Sequence, residues 1–147
     1  MSSQIELIVR GVQILSGEVL VVKQVDASHA FLPGGHVAFL ESAEKALARE
    51  IREELGRDVS IKSFIGMIEH TYLSGTSRKH ELNILFAVEI EGVVPGEDPV
   101  SLENHLTFFW QPIDRLSEVN VQPHFLQTLL PSLPENPIWA VWASSLG

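Results

Sequence analysis

The segment REIREELG (49–56) places three glutamates, Glu50, Glu53 and Glu54, within a single turn, flanked by Arg49 and Arg52. On a helix, residues three and four apart are neighbours, so Glu50 faces both Glu53 and Glu54. Like charges at that spacing cost roughly 0.2–0.5 kcal/mol per pair. Such a cluster is either a solvated face or a set of carboxylates that receives cations. Hard divalent ions take oxygen ligands in octahedral arrangement and usually keep some of their waters. Two or more of them activate a water and neutralise charge developing on phosphates. Without metal the same cluster repels itself, and at least one carboxyl takes up a proton more readily.

The element that would position these carboxylates is a helix over SAEKALAREIREEL (42–55), with Ser42 as its N-cap and Gly56 as its stop. At about 100° per residue it divides into three stripes. Leu47, Ile51 and Leu55 form an apolar stripe suited to packing on a sheet, and Lys45, Arg49 and Arg52 cluster on another side. The glutamates occupy the sector between, where the upstream neighbours are the small residues Ala43 and Ala46. A carboxylate cluster that receives ions and a bulky phosphate has a reason to keep those neighbours small. Alanine is also simply a good helix former.

Around this helix the chain reads mostly as strand. ELIVRGVQIL (6–15) and EVLVVKQV (18–25) are β-branched runs joined at Ser16-Gly17, a hairpin-like turn signal. FLPGGHV (31–37) is a Pro-Gly-Gly break leading to the helix. VSIKSFIGMIEHTYL (59–73) and HELNILFAVEI (80–90) are expected strands around the polar turn SGTSRK. A loop over 92–99, a short strand over LTFFWQP (106–112) and a helical centre in QPHFLQTLLPSL (122–133) complete the order. The expectation is an α+β fold in one domain over 1–147, with a mixed β-sheet between helices. The tail from about 134 to 147 holds Trp139 and Trp142, expected to pack on the domain or across a homodimer.

Composition narrows the partners. Ten Lys and Arg stand against 19 Asp and Glu, a formal charge of −9 that argues against a nonspecific nucleic-acid binder. A negative chain that binds an anionic ligand must bring cations to it, as local Lys and Arg or as metal. There are no cysteines for disulfides or thiolate metal sites. The start, MSSQIELIVR, does not read as a secretory signal, and no apolar run approaches the roughly 20 residues of a membrane span. A soluble, cytoplasmic protein is the default expectation.

The longer frame separates the two readings of the glutamates. From Gly35, five residues lead to Glu41 and seven more to Arg49-Glu50-Ile51-Arg52-Glu53-Glu54-Leu55-Gly56. With typical residue frequencies, a chance match to that many specified positions has odds of roughly 10⁻⁹ per starting point. The pattern resembles the Nudix box, here 35–57, and the chain is identified as a member of the Nudix hydrolase family. One position departs: the final apolar site is Arg57, with Val59 two residues on as a substitute for its packing. Phe39-Leu40 stands where many relatives carry Pro-Gly.

The resemblance implies the Nudix fold and Mg²⁺- or Mn²⁺-dependent hydrolysis of a nucleoside diphosphate linked to another group. The substrate would be a nucleoside triphosphate, a dinucleoside polyphosphate or a nucleotide sugar such as ADP-ribose. It makes Glu50 and Glu54 the first metal ligands, with Glu53 sharing the site and the Gly34 carbonyl as a further ligand. Arg49 would orient the glutamates, and Glu41 would brace the loop or help to hold a metal. The general base would be Glu54, Glu50 or Glu103. Lys23 is a candidate phosphate contact or a solvated strand end; Phe31 and Tyr72 are candidates to stack a base, with core packing the other reading for Phe31. The rival from another class is a Nudix-fold module that binds a nucleotide without cleaving it.

Competing signals fail. HELNI (80–84) begins like a zinc-protease motif, but its fifth residue is Ile84, and no Walker loop or dinucleotide-binding glycine pattern is present.

Overall fold

The structure, a computed structural model, describes residues 3–133 and 140–146. Nine strands are joined by two α-helices and one 3₁₀ turn among those residues. β1 (Ile5–Val12), β5 (Gly34–His36), β6 (Val59–Ser74), β7 (Ser77–Ile90) and β9 (Val141–Ser144) form a five-stranded sheet in the order β5-β1-β7-β6-β9. It is mixed, with β1 parallel to β7 and β9 parallel to β6, and the other pairs antiparallel. β2 (Ile14–Leu15), β3 (Glu18–Gln24), β4 (Ala30–Phe31) and β8 (Leu106–Pro112) make the second sheet around β3.

Helix α1 (Ala43–Leu55) covers one side, and α2 (Leu126–Ser132) the other. The stripe Leu47, Ile51 and Leu55 is buried against Val9, Leu20, Val88 and Phe108. Leu126, Leu129 and Leu130 bury against Val12, Val21, Ile68 and Leu85. This is the α+β fold, with a mixed sheet between helices, that the strand and helix order implies. α1 starts and stops as its sequence dictates. The Ser42 hydroxyl accepts the Lys45 N–H at 3.2 Å, and Gly56 closes the helix in the left-handed region at φ 66°.

Two strand expectations are corrected. The run 6–15 is not one strand of a hairpin: it divides at Gln13, β1 joins β7, and only Ile14–Leu15 returns on β3. The physical reason is Gln13, whose buried side-chain oxygen accepts the Ile90 N–H at 2.6 Å while the chain passes from one sheet to the other. Ser16 and Gly17 do make the tight turn, both at positive φ, which suits a two-residue hairpin. The polar turn after β6 is also shorter than expected. Ser77, Arg78 and Lys79 pair with Ser74, Leu73 and Tyr72, so β7 begins three residues before His80.

The departure at Arg57 resolves as proposed from the sequence: Arg57 is exposed beside Gly92, and Val59 packs on the α1 core. Phe39 and Leu40 touch almost nothing, at 92% and 91% exposed. In the tail, Val141 and Ala143 pack onto the α2 core, whereas Trp142 alternates outward and stays 61% exposed. Trp139 lies outside the described residues. No helix among the described residues is long and apolar enough to cross a membrane.

Candidate active site

The loop before α1 and the first turns of that helix are held by one guanidinium. Arg49 donates to both Glu41 carboxylate oxygens, at 2.8 and 2.9 Å, to Glu50 at 3.0 Å and to the His36 carbonyl at 3.0 Å. Glu53 takes two longer contacts at 3.4 Å. Glu41 in turn accepts the Ala38 N–H at 3.1 Å, so the loop closes on itself through this pair. The Arg49 hydrogen bonds, with that of Ala38, hold the Glu41 carboxyl down at about 2. The same partners raise the guanidinium, Glu41 first.

Glu50, held by this hub, and Glu54, one turn on, reach the Pro-Gly-Gly segment. The Gly34-Gly35 backbone is what lets them come so close. A Cβ built on Gly35 would stand 2.5 Å from the Glu50 carboxyl carbon and 2.7 Å from both its oxygens. Gly34, at φ 142°, could carry no side chain without meeting the Val9 carbonyl. Glu54 is 7% exposed, and its Oε1 has no hydrogen-bond partner among the described residues. Burial, then the neighbouring Glu50 charge, pushes its pKa up to about 8. Arg10 and the Gly34 amide oppose that rise, and Glu103 adds to it. Glu53, rotated by one residue around the helix, is exposed and stands apart from the pair.

These groups line a cavity of about 750 Å³. Gly34, Gly35, Glu50 and Glu54 border one end, with Phe31 and Tyr72 also in its wall. Lys23 and Glu103 are outside the lining, although the Glu103 charge reaches Glu54. The backbone of Glu103 is tied to Ser101 by two contacts of 3.0 Å.

Sequence reasoning missed Arg10. Its guanidinium donates to the Leu32 carbonyl at 3.0 Å and lies 5.0 Å from the Phe31 ring centroid. Burial lowers its pKa, and the charges of Glu81, Glu54 and Glu50 oppose that. Among the described residues no carboxylate comes within 4.0 Å of it, so its positive charge is not spent on an ion pair. A signal was available: in ELIVRGV, period-two alternation puts Arg10 on the face of Ile8 and Val12, an inward charge that needs a partner. His70, Glu81 and Asn83, also in the cavity wall, were missed as well.

Residues 7–129, most of the chain, match the family model of the NUDIX domain. The chain belongs to the Nudix family. Curated relatives match over shorter segments. One is the low-salt glycan biosynthesis protein Agl8 of Haloferax volcanii, 42% identical over 65 residues, covering 42% of each chain. Another is the ADP-ribose pyrophosphatase of Methanocaldococcus jannaschii, 34% identical over 74 residues, covering 49% of this chain and 43% of that one. The matched segments thus span about two fifths of these relatives' lengths. The fold is shared more widely: the MutT protein from Methanosarcina mazei superposes with a TM-score of 0.70 at 20% identity, covering 92% of this chain and 99% of that one. In this Nudix chain the box supplies the loop, the Arg49 hub and the carboxylate pair.

Nudix proteins as a family use divalent metal ions. Among the described residues no three His, Asp or Glu side chains converge into a ready-made cage. The carboxylates present are nevertheless the hard oxygen donors that Mg²⁺ and Mn²⁺ prefer. A buried carboxylate oxygen without a protein partner among the described residues, beside a second carboxylate, is a donor set that fits such a cation.

Proposed function

We propose that this Nudix chain is a Mg²⁺- or Mn²⁺-dependent pyrophosphohydrolase, cleaving the phosphoanhydride of a nucleoside diphosphate derivative. The observation that carries the reading is Glu54, buried beside Glu50, raised to about 8 and unpartnered at Oε1. A carboxyl in that state is costly unless a cation is to be received there. Glu50 and Glu54 would hold it, with the Gly34 carbonyl beside them. When bound, the ion supplies Lewis-acid neutralisation of phosphate charge and a more acidic water.

The chain's own residues supply the rest. Arg49 fixes the Glu50 carboxylate at 3.0 Å, and Glu41 fixes Arg49 with two hydrogen bonds. Arg10, free of ion pairs, offers a cation to the phosphates of a ligand in the cavity. Phe31 and Tyr72 offer aromatic faces to a base. Glu103, whose charge reaches Glu54, would serve as the general base. The Methanocaldococcus relative is an ADP-ribose pyrophosphatase, which supports a nucleotide substrate without selecting one.

Incubation with nucleoside triphosphates, dinucleoside polyphosphates and ADP-ribose, with Mg²⁺, and detection of cleaved products tests the reading. Mg²⁺-dependent cleavage of at least one is expected. Tight binding without turnover of any would make the chain a nucleotide-binding module instead.

A further inference from the structure

Opposite the carboxylate pair, the cavity is floored by the large sheet. Strand order places Gly34-Gly35 on β5, Arg10 and Ile8 on β1, Glu81 and Asn83 on β7, and His70 and Tyr72 on β6. Neighbouring strands are about 4.8 Å apart, so the floor runs roughly 14 Å from the glutamate end to His70. A nucleotide can lie along it with its phosphates at Glu50, Glu54 and Arg10. Its base then falls on β7 and β6.

What waits there is an incompletely bonded polar group. Asn83 is 1% exposed in a row that continues into the apolar Leu85, and Ile8 and Ile68 flank it on the adjacent strands. Its Nδ2 points to Glu81 Oε1 at 3.4 Å. An ionised carboxylate only accepts, which orients the amide and leaves Oδ1 as the free acceptor. That oxygen is buried with no partner among the described residues. The other Glu81 oxygen accepts the Tyr72 hydroxyl at 3.1 Å. The Tyr72 ring stacks on His70 at 5.3 Å between centroids, and His70 Nδ1 is a second buried atom without a partner. Both residues line the cavity. A buried polar atom without a hydrogen bond costs stability, so a cavity wall that carries two of them on adjacent strands is shaped for a ligand.

Resting on the nucleotide reading of the site, we infer that Asn83 and His70 determine base specificity. Asn83 Oδ1 accepts an N–H of the base edge, and His70 Nδ1 pairs with the neighbouring polar atom of that edge. Tyr72 and Glu81 are positioning residues that hold the two in place.

The test is equilibrium binding of AMP, GMP, CMP, UMP and purine riboside 5′-monophosphate, whose base has no N–H donor. Monophosphates carry no anhydride, so the outcome is independent of whether the chain hydrolyses anything. The preferred natural nucleotide is expected to bind about tenfold or more tightly than purine riboside monophosphate. Asn83→Leu should abolish that ratio, leave purine riboside monophosphate affinity nearly unchanged and keep or raise the Tm of the free protein. His70→Phe, which keeps the stacked ring, should reduce the ratio. Equal binding of all five nucleotides by the unaltered protein overturns the inference, as does full discrimination in Asn83→Leu. A lower Tm with discrimination intact would make Asn83 a structural residue, and that too overturns it. Absence of turnover in the hydrolysis panel, with base discrimination present, would remove the pyrophosphohydrolase reading and leave this one standing.

Discussion

The two walls of the cavity are built on opposite rules. Behind the helix wall, Arg49 is saturated with partners and the loop is closed by Glu41 and Ala38. On the sheet wall, Asn83 Oδ1 and His70 Nδ1 have none. Glu54 shares the second condition although it belongs to the first wall. The difference separates positioning from reception. Saturated groups fix geometry before a ligand arrives, and unsatisfied ones are where the ligand's own atoms complete the bonding.

The largest effect is expected where that division is sharpest. Glu54→Gln keeps shape and removes the charge that would hold a cation, so kcat should fall by about 10²-fold or more. The neutral amide replaces a carboxyl that burial already disfavours in its charged form. Metal-free stability at alkaline pH should therefore be equal to or above that of the unaltered protein. Near-normal turnover at saturating Mg²⁺ would remove Glu54 from the site.

Gly35→Ala probes the same end by geometry alone. An added methyl would overlap the Glu50 carboxylate, at 2.5 Å from its central carbon. Glu50 must swing aside, and misplacement by about 1 Å can cost about 10²-fold in rate. A loss of roughly 10- to 100-fold in kcat is expected, with the far-ultraviolet circular dichroism spectrum retained. Unchanged kcat would mean that the position of Glu50 is not critical.

Arg49→Lys attacks the saturated wall. A lysine cannot reproduce the two-pronged contact to Glu41 or reach Glu50 and His36 together. Turnover should fall by about tenfold through loss of Glu50 orientation. The stability of the variant should also depend less on pH than that of the unaltered protein between two bounds. Glu41 is held down at about 2, below its ordinary value of 4.5, so its contribution is present above 4.5 and lost as pH falls toward 2. Removing the fork removes that contribution, and the variants should differ above pH 4.5 and converge near pH 2. Parallel acid titrations followed by circular dichroism show whether they do.

The same contrast explains what could be read from the sequence. The helix wall is contiguous: Gly35, Glu41, Arg49, Glu50 and Glu54 lie within one short segment, at spacings that a loop and a helix impose. Its cap, apolar stripe and stop follow from local chemistry. The sheet wall joins Arg10, on β1, to His70 and Asn83, on the β6–β7 hairpin far along the chain. Arg10 is a lone charge in an apolar run, His70 and Asn83 lie in mixed polar stretches, and only the parallel pairing of β1 with β7 brings Arg10 beside the other two. That pairing depends on long-range packing, and the break at Gln13 that permits it rests on a hydrogen bond to Ile90. Lys23, in contrast, looked suited to phosphate because it ends a strand near the box, yet its strand belongs to the other sheet and it stays outside the cavity lining.

The smallest effect is a stability change that turns on the sign of the Glu54 shift. With its pKa raised from 4.5 to about 8, metal-free Glu54 binds its proton more tightly in the folded state than in the unfolded one. The associated stabilisation is complete below 4.5 and is lost as pH rises through about 8, so the EDTA-treated protein should melt lower at about pH 8.5 than at about pH 6 through this group. A bound cation reverses the trend, because it requires the deprotonated carboxylate and competes with the proton. Mg²⁺ at a hundred times its Kd should add about 2.7 kcal/mol. For a domain of this size that is roughly 5–10 °C in Tm. The increment should be larger at the alkaline pH. A solvated glutamate face would respond only to ionic strength, and NaCl at matched ionic strength would reproduce the shift. Melting curves with Mg²⁺, with matched NaCl and with EDTA at both pH values separate the two. Equal responses to the two salts at both pH values would leave Glu50 and Glu54 without a cation to receive, and the helix wall would lose its claim to the chemistry.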